Sequence, residues 1–448
     1  MQNVLQISFP PYWLVIPFVA LLLMIATGPL FFPVFWHKNY PKIAIVLAVF
    51  VMFYYGFVLN NPVKPIEAIA EYIQFISLIT ALYMATAGIL VEVHAKATPR
   101  SNIILLAIGA VVANFIGTTG ASLLLIRPYL RLNKQRIMVY HVAFFIFIVS
   151  NIGGALTPIG DPPLFLGFLK GVPFSWTLRH NGFPWLIALS FLLLLFYFLD
   201  KRNKKQCHLV RSSAVEKGVF SITGSKNLIW LLVIIGAVFL DPIIFPWMPT
   251  IPYSGHRISF VRECVLLVVA ILSFHTADKQ VLKCNGFSFE PLHEVCLIFI
   301  GIFGTMIPAL EIIGGLAQSE WGKHFITPTT LYWGTGFFSS VLDNAPTYLN
   351  FAAASMASQG ASIASLADVQ NYAAGGVYLH SIVGLKAVSI ASVFFGAMTY
   401  IGNGPNFMVK AIAEQEGIRM PSFGKYIFHF SLPFLLPLLF LIWLVCFY

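Results

Sequence analysis

The chain has 448 residues, 58% of them hydrophobic and only 10% charged, with a mean hydropathy of +0.83 and a formal net charge of +10. A soluble domain carries about 25% charged residues, so this composition excludes a soluble globular protein. It leaves an all-α polytopic membrane protein, because barrel strands would alternate in polarity over about 10 residues instead of running apolar for 17–25.

The first apolar segment, 12–36, lacks a basic leader and a small-residue cleavage site and reads as a retained helix, not a signal peptide. Further spans fall at 43–59, 72–91, 102–130, 137–170 and 183–199, and then at 228–247, 258–274, 291–317, 329–357, 380–409 and 427–447. Between the two sets lies the longest polar stretch, Asp200 to Lys226, a basic linker and not a domain. Two spans are interrupted at their centres, by Gly117-Thr-Thr-Gly120 and by Asp343-Asn-Ala-Pro346. Each half of such a span has about a dozen residues, too few to cross a core of roughly 30 Å. Segments 102–130 and 329–357 are therefore expected to be re-entrant hairpins.

Charge placement supports that expectation. Lys96 and Arg100 precede the first hairpin, and Arg127, Arg131, Lys134 and Arg136 follow it, so the positive-inside rule places both flanks in the cytoplasm. Alternation along the chain then gathers most of the 27 Lys and Arg, including Lys38, Lys42 and the cluster Lys201 to Lys226, on the same side. This accounts for the basic charge through orientation and contact with anionic membrane lipid, with no nucleic acid partner. Each half reads as three helices, a hairpin, a broken helix and a final helix. With five crossings per half, the second half (228–448) is inverted relative to the first (1–199), residues 200–227 join them, and both termini are extracytoplasmic.

The broken helices carry the sharpest motif. Ser150-Asn-Ile-Gly-Gly-Ala-Leu-Thr-Pro-Ile-Gly-Asp-Pro-Pro-Leu164 places glycines, prolines and an Asp inside span 137–170, and Thr399-Tyr-Ile-Gly-Asn-Gly-Pro-Asn406 is a weaker copy inside 380–417. Pro removes backbone donors and Gly loosens the helix, and paired broken helices in two halves point to a transporter's substrate site. Asp161 and Asp343 are the ionisable groups at the interruptions, and a charge at that depth reads as functional, although either can instead cap the half-helix that follows it. Ser150, Asn151, Thr157, Thr118, Thr119, Asn344, Thr347, Thr399, Asn403 and Asn406 add neutral oxygens of the kind that suit Na⁺, and any one of them can equally clamp a turn. Lys386 is either a counter-charge or an interfacial snorkel, Glu311 lies near a helix end, and His141 reads as a packed histidine. Five cysteines show no metal or redox spacing, no Walker A motif is present, and no cofactor is expected.

With these motifs the chain resembles the ion transporter superfamily, and within it the NhaD-type sodium/proton antiporters. Ser150 to Leu164 is similar to that family's first broken-helix signature and Leu342-Asp-Asn-Ala-Pro-Thr347 to its second hairpin, over roughly residues 70–420. The resemblance implies a homodimer in a bacterial inner membrane and exchange of H⁺ for Na⁺ or Li⁺ by alternating access, with Asp161 and Asp343 holding the cation. Where relatives often have Asp-Asn in the first hairpin, this chain has Gly117-Thr118, and Asn403 stands where the first break has Asp161. The alternative is a Na⁺- or H⁺-coupled carrier of a dicarboxylate, citrate or arsenite-type anion, held at half-helix N-termini. No nucleophile–base set appears, so an enzyme is not expected.

Overall fold

A computed structural model describes residues 10–93, 95–206, 220–240, 242, 245, 247–253 and 256–448. Helices dominate it. A 3₁₀ turn, Tyr12–Val15, leads into α1 (Ile16–Phe31), followed by α2 (Pro33–Phe53), α3 (Val63–Ala87), α4 (Pro99–Leu132), α5 (Val139–Ile148), α6 (Pro162–Lys170) and α7 (Phe174–Gln206). The second part runs α8 (Ser225–Val238), α9 (Val261–Thr276), α10 (Lys279–Cys284), α11 (Glu290–Thr305), α12 (Ile307–Gln318) and α13 (Glu320–Phe325). It continues with α14 (Pro328–Val341), α15 (Asn344–Ala357), α16 (Leu366–Ala374), α17 (Ser381–Phe395), α18 (Gly404–Gln415), α19 (Phe423–Tyr426) and α20 (Leu436–Cys446). Two short antiparallel ribbons, Leu90–Val93 with Phe220–Thr223 and Ile251–Tyr253 with His256–Ile258, are the strands among the described residues.

The protein is an all-α multi-pass membrane protein. Eight helical runs among the described residues are long and apolar enough to cross a membrane, and α11 with α12 forms a further one bent by 45°. One of the eight, α4, folds back on itself. Asn102 and Asn133, 31 positions apart, would be about 46 Å apart in a straight helix. Their side-chain amides instead exchange two hydrogen bonds of 2.8 Å. The turn is at Gly117, whose φ of +76° is open to glycine but costly for other residues. The second hairpin folds likewise between α14 and α15: a Cβ built on Gly334 would stand 2.9 Å from the Phe351 ring. Both hairpins open with the same device, a capping box, Thr98 with Ser101 and Thr327 with Thr330, each ahead of a first-turn proline.

Some boundaries differ from the sequence expectation. The first span breaks at Phe32 because Pro33 starts a new helix, so Lys38 and Lys42 lie on the first turns of α2 and not in a loop. Helix α7 runs on to Gln206, and Asp200, expected in the linker, is fully buried. Arg136, His141 and Tyr140 all reach its carboxylate, and that pairing is what permits a buried charge there. Linker residues 207–219 lie outside the described residues. The expected span 228–247 appears as the 14-residue α8, and the remainder is described only in part.

The order of elements in the first part recurs in the second. Helix α2 lies against α11, and α9 lies against α3; exchanging α2 with α9 and α3 with α11 turns one pair into the other. These helices, with α1 and α8, form a scaffold beside a bundle of hairpins and broken helices. The bundle holds the deeply buried segments α5, α15 and α17.

Candidate functional site

Each break is built from a threonine, a glycine and a hairpin carbonyl. At the first, Thr157 Oγ1 donates to the Asn114 carbonyl and accepts from Gly160 N at 3.2 Å. At the second, Thr399 Oγ1 donates to the Ser340 carbonyl at 2.6 Å and accepts from Gly402 N at 3.0 Å. Gly160 and Gly402 then lie so close to the carbonyls of Gly154 and Gly396 that neither has room for a Cβ. Helices α6 and α18 start just beyond, at Pro162 and Gly404, and Asp161 and Asn403 share one extended backbone conformation there, φ −146° and −153°.

Four interruptions meet at one carboxylate. Asp161 Oδ1 accepts from Thr118 Oγ1 at 2.7 Å, from the first hairpin's turn, and from Asn403 Nδ2 at 3.0 Å, from the second break. Asp161 Oδ2 accepts from Asn344 Nδ2 at 2.6 Å, from the second hairpin's turn. The capping alternative is thereby overturned for Asp161: it occupies the N-cap position of α6, but its side chain takes no bond from that helix. The geometry explains this, since three side-chain donors from outside α6 take up both oxygens. Asp343 does cap, accepting from Ala345 N at 3.0 Å.

The remaining expected residues sit around this centre. Ser150 Oγ meets Ser122 Oγ at 2.7 Å, and its carbonyl accepts from Asn403 Nδ2 at 3.1 Å. Asn151 donates to Asn406 Oδ1 at 2.7 Å and accepts from Asn403 Nδ2 at 3.2 Å. Asn406 in turn donates to the carbonyls of Gly396 and Thr399, so this amide chain ties one break to the other. Thr157 and Thr399 are clamps within their own breaks and do not reach Asp161. Thr347 bonds back to the Asp343 carbonyl within its helix. Thr119 faces a cavity.

The centre has a charge to balance. The three donors to Asp161 are neutral, and among the described residues no Lys, Arg or His forms an ion pair with it. Lys386 lies instead over the Phe447 ring, 5.4 Å from its centroid. His141 packs in the Asp200 cluster, 3.1 Å from that carboxylate, and Glu311 accepts from Tyr55 Oη at 2.8 Å. Asn344 Oδ1, on the amide that touches Asp161, is buried without a partner. A cavity of about 50 Å³ adjoins the carboxylate between 116–120 and 158–162, ample for a water or a small cation.

A wider cavity of about 200 Å³ adjoins the same centre, lined by Thr119, Pro162, Asp343, Asn344, Asn403 and Gly404. The scaffold side of this cavity includes Tyr83 and Glu294. It lies at the end of α3 that leads to the basic hairpin flanks, the face called inner below. Four helix N-termini, those of α6, α15, α18 and the second arm of α4, start at the centre. No group of three or more His, Cys, Asp or Glu able to hold a metal occurs among the described residues.

Sequence reasoning missed Asn114. Its amide donates to the Gly153 carbonyl at 2.7 Å and accepts from Leu156 N at 2.9 Å, which holds the first break against the first hairpin. The only signal was an amide within an apolar hairpin arm.

A family model described as "Putative citrate transport" matches residues 7–447 of the chain. No curated protein matches it. The family match agrees with the ion-transporter resemblance at the level of the superfamily.

Proposed function

The chain belongs to that citrate-transport family and is a secondary transporter, and from this we propose that it carries a citrate-type carboxylate together with a cation, Na⁺ or H⁺, that neutralises Asp161. The observation that carries the reading is the convergence of both hairpins and both breaks on one buried carboxylate with only neutral donors. An uncompensated charge at such a place costs several kcal/mol. A proton on the carboxylate, or Na⁺ between Asp161, Asn344 Oδ1 and neighbouring hydroxyls, removes that cost.

The carboxylate cargo fits the adjoining cavity. Its wall toward the bundle offers amides, hydroxyls and the free N–H groups of half-helix starts, and such ends hold anions without arginine. Coupling then follows from Coulomb's law. A carboxylate cannot settle beside ionised Asp161 and Asp343 in a low-dielectric pocket, so both acids are neutralised by cation or proton first and cargo follows. When the cation leaves, repulsion expels the cargo. Alternating access comes from movement of the hairpin bundle against the scaffold helices, with the two parts of the chain as inverted repeats.

A second reading, exchange of Na⁺ for H⁺ without an organic cargo, is favoured by one feature: both ionisable residues at the interruptions are acidic. Purified protein in liposomes separates the two. Labelled citrate should enter against its gradient when Na⁺ or H⁺ is imposed outside. Collapse of a preformed proton gradient by a Na⁺ pulse, with no citrate uptake under either cation gradient, would move the conclusion to the antiporter.

A further inference from the structure

The scaffold has a second cavity at its other end. About 370 Å³ in volume, it is lined by Lys64, Glu67 and Glu71 on the first turns of α3, by Glu311 on α12, by Lys170 at the end of α6 and by Ala353 on α15. None of Asp161, Asp343, Asn344 or Asn403 reaches it, whereas the inner cavity is lined by three of those four. The two cavities correspond under the exchange that relates the two parts of the chain. Pro65 and Pro291 open α3 and α11, the first turns of α3 wall the outer cavity, and those of α11, with Glu294, wall the inner one. The broken helix contributes α6 to the outer cavity and α18 to the inner.

At the outer cavity an ion pair crosses from bundle to scaffold, Lys170 Nζ on α6 to Glu71 Oε1 on α3, with the two side chains only 16% and 20% exposed. At the inner cavity the matching positions carry no charge, since Lys170 corresponds to Ile412 and Glu71 to Leu297. Glu294 lines the wall, and among the described residues it makes no ion pair. Lys410, on α18, pairs along its own helix with Glu414 at 2.9 Å and lies 5.6 Å from the centroid of the Tyr400 ring, which lines that cavity.

We propose that Lys170–Glu71 is a latch that shuts the outer cavity off from the Asp161 centre, a device the inner cavity does not repeat. The pair is made in this state and parts when the outer cavity opens to the centre. A part-exposed pair biases the two states by a modest factor, which suits a carrier that must cross between them. The latch rests on the carrier reading only in requiring two states, and its test needs no knowledge of the cargo.

The test uses full-length protein with its native cysteines replaced and one reporter thiol at a time. Ala353→Cys reports the floor of the outer cavity, 3% exposed in this state, and Met408→Cys reports the inner wall. Glu71→Gln and Lys170→Met should each raise maleimide labelling at position 353 by about fivefold and lower it at 408. The double reversal Glu71→Lys with Lys170→Glu should return both rates to their starting values. Unchanged labelling at both thiols in folded Glu71→Gln and Lys170→Met overturns the latch. A labelling shift in a protein that carries no citrate keeps the latch and removes the carboxylate cargo; normal citrate uptake with unmoved labelling removes the latch alone.

Discussion

Asp161 is the residue on which the site turns, and its neighbours make a clean substitution possible. In Asp161→Asn one oxygen remains for Thr118 and Asn403, and Asn344 can turn its amide so that the now unpartnered Oδ1 accepts from the new Nδ2. The variant should fold and melt close to the parent, because removal of a buried charge offsets the turned Asn344 Nδ2 left without an acceptor, while cation-coupled uptake falls to the level of empty liposomes. Asp343 should behave differently. Asn is as good an N-cap as Asp, so Asp343→Asn keeps its melting temperature and loses much less transport than Asp161→Asn, whereas Asp343→Ala loses about 1 kcal/mol of stability. Asp161 was legible in the sequence because a carboxylate at a Gly/Pro break in an apolar run has few structural reasons to be there. That it is bound from the side and does not cap α6 was not legible, since Thr118, Asn344 and Asn403 are distant in sequence and only the fold brings them to it.

At the scale of elements, the two breaks are one device used twice. Thr157→Val and Thr399→Val each remove a donor to a hairpin carbonyl and an acceptor for a glycine N–H. Each should therefore cost on the order of 1–3 kcal/mol, and thermal melting of the two variants should fall by similar amounts. A large effect of one and none of the other would mean that the breaks are not equivalent. The fold-backs were expected from the interruptions at Gly117–Gly120 and Asp343–Pro346, which leave arms of about a dozen residues, too short to span the bilayer. The start of α2 at Pro33 was not, because the apolar run passes through it and only the proline marks the change. Asp200 was read as linker for the opposite reason: the polar residues after it hid a carboxylate neutralised by Arg136 from the turn between α4 and α5.

For the whole molecule, the account requires that α4 turn back, that two cavities flank the centre from opposite ends, and that only one reach it at a time. Cysteines placed at Thr98 and Lys134, at the two ends of α4, should react with an impermeant thiol reagent from the same side of sealed vesicles; reaction from opposite sides would make α4 a crossing. The recurring element order was legible in the motif copy, whereas the scaffold contacts of α2 with α11 and α3 with α9 have no signature in apolar sequence beyond the need to bury a face. The most direct measurement is concentrative uptake of labelled citrate by liposomes holding the parent protein or Asp161→Asn, under imposed Na⁺ and H⁺ gradients. The parent should accumulate citrate above equilibrium with at least one cation and the variant with neither. Accumulation by Asp161→Asn equal to the parent's would contradict the assignment of Asp161 as the coupling centre.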